Sequence, residues 1–313
     1  MKTLFITGAT GFIGNHVLNK LKTMNYYRIL ALTRKKMDSC ERVTFVEGNI
    51  QNIPMINDLV SRSDMVIHMA GCKSDATQLN PTNVMGTQNV VAACALHRRL
   101  EKMIYLSSAG VMGASRDRIV DEKTYCQPQN DYERSKYQAE LIIKQYSTEN
   151  PGKVVILRPT NVFGENDPDK HLLNLIRRIQ KKQFCFIGKN VSSYYLNYLY
   201  VKEISECLPR LLNESTAHDL YILNTPFLLI DVIAKIKARL MSRTIHRHLP
   251  YGPVKYAVSC LELLPEKIKR RLPINSMKLR EITNTKKYSS SLIKKDLNWL
   301  PAYTIEKAID NLI

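Results

Sequence analysis

Three glycines, at positions 8, 11 and 14, constrain this chain more than any other feature. They follow the apolar run Leu4-Phe5-Ile6 and precede Val17, Leu18 and Leu21, which recur at helical spacing. An apolar run of this length suits a buried parallel strand, so G-x-x-G-x-x-G falls at a strand-to-helix turn. Gly8 permits the tight exit from the strand. Gly11 lets the backbone approach a pyrophosphate, and Gly14 lets the helix pack closely on the sheet. The unpaired N–H groups that open such a helix face an anion. Thr10, Phe12 and Ile13 lie in the same turn and belong to the expected nucleotide site.

The pattern that follows supports that placement. Strands are expected at 28–33, 43–46, 65–70, 103–107 and 154–158, with helices at 56–61, 87–97 and 132–146 between them. Strands separated by helices imply right-handed crossovers and a parallel, doubly wound α/β sheet. The stretch from Arg158 to Pro168 closes this half, giving a first domain over 1–165. Residues 166–313 read as a smaller, mostly helical lobe, partly interleaved with the first, with helices at 171–182 and 230–240. Four prolines between 250 and 273 break that segment into short helices and turns. The alternation of Tyr194 to Tyr200 suits a strand packed between the lobes.

The seven cysteines are scattered and form no C-x-x-C pair, which argues for reduced thiols without disulfides or zinc. His246-Arg247-His248 lacks neighbouring carboxylates or thiols and reads as a solvated turn; no metal is expected. The chain opens directly on a strand pattern and has no apolar run of about eighteen residues, so a cytoplasmic protein is expected. Its net charge of +18 is divided unevenly, +5 over 1–150 and +13 over 151–313. Such a field draws phosphorylated small molecules, anionic lipid or nucleic acid, although a lysine-rich solvated surface explains it equally. Val254, Ala257, Val258, Leu261, Leu263 and Leu264 lie among Lys255, Lys267, Lys269, Arg270 and Arg271. That stretch, 249–273, reads first as lobe core, and second as a segment weakly touching an anionic membrane.

Chemistry concentrates at Tyr132-x-x-x-Lys136. Four residues are about one helical turn, so both side chains share a face. A free tyrosine has a pKa near 10, and a neighbouring ammonium favours its phenolate. Ser107-Ser108 follows an earlier strand at the carboxyl edge of the same sheet, where ligands bind in such folds.

With these residues in view the chain resembles the extended short-chain dehydrogenase/reductases, in the NAD-dependent epimerase/dehydratase family. The resemblance runs through Thr7 to Gly14, His68-Met69-Ala70-Gly71, Asn83 to Val90, Ser107 to Gly113, Tyr132/Lys136, Arg158 to Gly164 and Leu297 to Pro301. It implies a Rossmann-type fold. It implies that Ser108 orients a carbonyl or alcohol, that Tyr132 is the general acid/base, and that Lys136 binds the nicotinamide ribose and lowers the tyrosine's pKa. Asn49 and Ile50, Met69, Ala70 and Gly71, Asn83 and Pro159 fall at positions lining the cofactor, and Lys73 and Asn161 at positions near the substrate. For Asn83 and Asn161, local backbone capping is an equal alternative. Asn49 replaces the family's usual aspartate, and Leu196 stands where many nucleotide-sugar enzymes keep an arginine.

The second strand ends in Thr33-Arg34-Lys35-Lys36, with no acid before Asp38. An arginine there accommodates a ribose 2′-phosphate, so Arg34 favours NADP(H), with NAD(H) open. The expected activity is 4-keto reduction of a nucleotide-linked sugar for surface-glycan synthesis. The alternatives are a nucleotide-sugar 4-epimerase, a 3β-hydroxysteroid or dihydroflavonol-type reductase, and a non-enzymatic dinucleotide sensor or RNA binder. A homodimer is open, and nucleic acid is not an expected partner.

Overall fold

The structure, a computed structural model, describes residues 1–312 except 98, 114, 116, 242–246 and 265–274. The first strand, β1 (Lys2–Thr7), leads through the glycine turn into α1 (Phe12–Lys22). There follow β2 (Tyr27–Thr33), β3 (Val43–Glu47), α2 (Ile53–Ser61), β4 (Met65–His68), α3 (Gly86–Leu96), β5 (Lys102–Leu106), α4 (Asp131–Glu149) and β6 (Val154–Pro159). The chain continues with β7 (Asn161–Phe163), α5 (His171–Gln180), β8 (Tyr195–Tyr200), α6 (Val201–Asn213), β9 (Leu220–Leu223), β10 (Thr225–Leu228) and α7 (Leu229–Arg239). Seven parallel strands form the main sheet, in the order β3-β2-β1-β4-β5-β6-β9. The order reverses between β1 and β4, and the crevice at that switch is where such sheets bind ligands.

Alternation along the strands divides the core into two layers. Leu4, Ile6, Ile67 and Ile104 pack against Val17, Leu18 and Leu21 of α1 and Ile204, Leu208 and Leu211 of α6. Phe5, Val66 and Met103 face the other way, onto α2, α3 and α4. Both faces are covered, so β4, β5 and β6 are buried along their whole length.

The seventh strand is one the sequence pattern does not mark. Leu220–Leu223 adds to the outer edge of β6, so the span 166–313 completes the sheet of the first half. A second sheet, β10-β8-β7, is covered by α5 and α7 around Phe163, Ile176, Tyr198, Tyr200 and Ile233. Leu196 is buried in that core. Leu199, on the opposite face of β8, joins the main core, so this aromatic strand lies between the two. The chain passes from the main sheet to the second one at Thr160 and again at Asn224. There the Thr160 hydroxyl donates to Asn224 Oδ1 at 2.8 Å. Asn224 Nδ2 donates to Asn197 Oδ1 (3.1 Å) and to the Tyr288 carbonyl (2.8 Å).

Candidate active site

The glycine turn has the features a pyrophosphate requires. Gly8 sits at φ +73°, and a Cβ there would stand 2.6 Å from Ala70 N. A Cβ on Gly14 would run into the Gly8 carbonyl. Gly11 opens α1 with no side-chain cap, and the first turn carries no acid. An anion therefore meets backbone N–H groups and no repelling carboxylate. On these grounds the residues present fit a dinucleotide.

Across the crevice, α4 begins with Asn130, whose side chain accepts from Glu133 N. That cap fixes the first turn, which carries Tyr132 and, one turn on, Lys136. Tyr132 is paired with Ser108, whose hydroxyl bears on its phenol and whose Oγ accepts Gly110 N–H at 3.1 Å. Burial pushes the Tyr132 phenol up to about 12, while the Ser108 hydroxyl pulls it down. Lys136 turns inward. Its ammonium donates to the Leu106 carbonyl (2.7 Å) and lies 4.4 Å from the centre of the Tyr105 ring. Desolvation lowers its pKa to about 7, opposed by the charge of Glu140. The hydrogen bond and ring contact of the Lys136 ammonium lie at the end of β5, and desolvation and the Ser108 hydroxyl lead the influences on Tyr132. The two halves of the site meet at Gly71, where a Cβ would lie 3.9 Å from Lys136 Nζ.

The family is then decided by comparison. Residues 4–222 match the NAD dependent epimerase/dehydratase family. The chain belongs to that family. It is 23% identical to the N-acetyl-alpha-D-glucosaminyl-diphospho-ditrans,octacis-undecaprenol 4-epimerase of Escherichia coli O157:H7, over 99% of this chain and 94% of that one. It is 29% identical to the human dTDP-D-glucose 4,6-dehydratase, over 72% of this chain and 70% of that one. Its fold matches the Bacillus cereus UDP-glucuronic acid 4-epimerase, solved in complex with NAD, with a TM-score of 0.73 at 18% identity, covering 99% of this chain and 98% of that one.

Within this epimerase/dehydratase framework the remaining residues take distinct places. Asn83 lies in a π-helical turn, Leu79–Met85. It accepts Cys72 N–H (2.7 Å) and donates to Cys72 O (2.9 Å) and Ser135 Oγ (2.8 Å), so it clamps the loop after β4 to α4. Ala70 N–H donates to Thr7 Oγ1 at 3.1 Å, while Met69 and Ala70 are half-buried and Gly71 is exposed. Thr10 is exposed, and Phe12 and Ile13 are half-buried. Asn49 is exposed and accepts Gln51 N–H (3.1 Å); Ile50 is buried beneath Gly86. Arg34 is exposed at the end of β2. Pro159 is buried at the end of β6, and Asn161 is exposed on β7. Lys73 pairs with Asp169, which also lies 3.4 Å from His171 Nε2. Among the described residues no cluster of three His, Cys, Asp or Glu could hold a metal ion, and His246 lies outside them.

Several supporting residues escape local sequence reasoning. Glu140, fully buried, accepts Ser107 O–H (2.5 Å) and both Arg158 Nε (2.9 Å) and an Arg158 terminal nitrogen (2.6 Å). This ion pair fixes α4 against the ends of β5 and β6, and breaking such a buried pair costs about 3–5 kcal/mol. His68 forms a second buried network. Thr87 donates to the Asn83 carbonyl, so it accepts from His68 Nε2–H, and His68 Nδ1 accepts from Thr7. Burial holds this imidazole neutral, with its pKa pushed down to about 3. Asp169 bears electrostatically on Tyr132, and its signal in sequence was only its place in the loop after Gly164. His16 Nε2 donates to the Glu165 carbonyl at 2.9 Å, tying α1 to that same loop.

Proposed function

We propose that this protein is a 4-epimerase of a hexose carried on a diphosphate, working by reversible oxidation at C4. The observation that carries the reading is the pairing of Ser108 with Tyr132 beside Lys136 and Gly71, opposite the glycine turn. When bound, an oxidised nicotinamide supplies the hydride acceptor and a positive charge. Tyr132, as phenolate, takes the proton of the C4 hydroxyl as the C4–H bond breaks, and Ser108 donates to the oxygen that becomes a carbonyl. Burial alone disfavours the phenolate, so the positive charge of the bound nicotinamide would be what makes Tyr132 available as base. Inversion without net redox would follow if the keto sugar turned over before hydrogen re-entered C4 from its other face and Tyr132 returned the proton to the oxygen. Tyr132 and Ser108 position the oxygen, while the Glu140–Arg158 pair holds both of their elements in place.

The E. coli relative matched over 99% of this chain is named as a 4-epimerase of a sugar on a diphospho-polyprenol, which supports this choice. A 4,6-dehydration needs additional acid/base groups beside the same pair. Here Ala109 and Gly110 follow Ser108, and the carboxylates that bear on Tyr132 are engaged elsewhere, Glu133 with Gln129 N and Asp169 with Lys73. With Leu196 buried in the second core, no cation from that position meets a diphosphate.

A second reading, NADPH-dependent reduction of a 4-keto sugar, is favoured by exposed Arg34, Lys35 and Lys36 beside the expected ribose. One experiment separates the two. The protein is incubated with UDP-N-acetylglucosamine, with polyprenyl-diphosphate N-acetylglucosamine and with a nucleotide 4-keto sugar, each with NAD or NADPH. Inversion at C4 without net nicotinamide consumption is expected, falling about 100-fold or more in Tyr132→Phe. Stoichiometric NADPH oxidation on the keto sugar alone would move the assignment to the reductase, and full turnover in Tyr132→Phe would remove this tyrosine from the chemistry.

A further inference from the structure

The helix Tyr251–Leu261 carries apolar residues on two opposite faces. One stripe, Val254 and Val258, packs on Ile187, Leu279 and Ile282. The other, half a turn away, is Tyr256 and Cys260, continued by Leu263 in the closing turn at the same i, i+4, i+7 spacing. Tyr256 is 75% exposed and Leu263 86%, and Cys260 is exposed. At the base of the helix Leu249 (40%) and Tyr251 (39%) are also open to solvent. Nothing in the fold of the described residues covers this second stripe.

The charge around it is mostly positive. Arg247 and Lys255, and Lys278 and Arg280 on the neighbouring helix Ser276–Ile282, are all exposed. Glu262 is occupied at home, accepting Ser276 N–H (2.8 Å) and its hydroxyl (2.7 Å). Between positions 241 and 280 the sequence holds nine Lys and Arg against two Glu, some of them outside the described residues.

We propose that this corner is a membrane-contacting surface that seats on an anionic bilayer, with Tyr256 and Leu263 entering the headgroup boundary and the cations above it. Two copies of the chain meeting here would bring like charges together. A nucleic acid would gain little from a leucine, which offers no stacking face. No described helix is long and apolar enough to cross a membrane, so the contact is peripheral. It is separate from the reaction at C4, because it concerns binding without turnover.

The test is co-sedimentation of the intact protein with vesicles of phosphatidylglycerol and phosphatidylcholine, or of phosphatidylcholine alone, at low and high salt. Partition onto the anionic vesicles that disappears with salt is expected. Leu263→Ser and Tyr256→Ser, at exposed positions that leave the melting temperature unchanged, should each lower it about tenfold. Their turnover of a water-soluble substrate should equal the parent's, so a failed catalytic reading and a failed membrane reading stay distinguishable. No partition at low salt, equal partition on neutral vesicles, unaltered partition of both variants, or a dimer that Leu263→Ser dissociates would overturn the proposal.

Discussion

Lys136 sits where its charge works against the unliganded fold. It is 3% exposed, and its pKa falls to about 7 through loss of water. In the unfolded chain the same group titrates near 10.5. Between about pH 7 and 10.5 the unfolded state therefore binds more protons, and stability rises with pH across that window. Below pH 7 the penalty is present in full, on the order of a few kcal/mol. Lys136→Met should thus melt higher than the parent at pH 7 without cofactor and lose that advantage toward pH 10, while turnover collapses. Thermal melts across pH, paired with activity, check both; a variant that melts lower at pH 7 would make the ammonium a stabilising partner of Leu106 and Tyr105. Helical spacing in the sequence was enough to join Tyr132 to Lys136. It could not show that the lysine turns inward, nor find Glu140 and Arg158, whose pairing joins a helix to a strand 18 residues on.

At the level of elements, the β1–α1 unit is the most legible part of the chain, because Gly11 and Gly14 answer to backbone within the turn itself. A methyl at position 14 would overlap the Gly8 carbonyl oxygen and approach its carbon at 2.8 Å, and backbone there cannot swing aside. Gly14→Ala should lift α1 from the sheet, cost about 2 kcal/mol or more, and weaken NAD binding at least tenfold. Calorimetric titration and a thermal melt measure the two; unchanged NAD affinity would detach the turn from the cofactor. β9 was illegible for the opposite reason. It has four residues, and its partner β6 ends about 60 positions earlier, so no local pattern says which sheet it joins. The π-turn at Leu79–Met85 was hidden likewise, with Pro81 interrupting the helical pattern.

Across the whole molecule, the two sheets are joined where the chain crosses between them, at Thr160 and Asn224. Asn224 is 1% exposed and its amide serves Thr160, Asn197 and Tyr288, while its N–H donates to Ser290 Oγ at 2.8 Å. Asn224→Leu keeps the volume but takes the side-chain partner from the Thr160 hydroxyl and the Tyr288 carbonyl, at about 1–3 kcal/mol each. A lower melting temperature with a single cooperative transition is the expected result. Two separated transitions in the parent protein would show instead that the lobes unfold independently. Composition made a basic second half legible, and only the fold places an exposed part of it around a helix with an uncovered apolar stripe.

The late origin of β9 has a consequence for how the protein is made. On the ribosome, β6 is synthesised some 60 residues before the strand that will cover its edge. At about 5–20 residues per second, the unpaired edge of Val154–Pro159 stands open for several seconds in every nascent chain. That edge is wholly apolar up to Arg158, the kind of template that pairs with other strands when left uncovered. The main sheet is therefore finished only once Leu220–Leu223 has been made. Slowing translation beyond position 160 would lengthen the interval in which that edge stands unpaired.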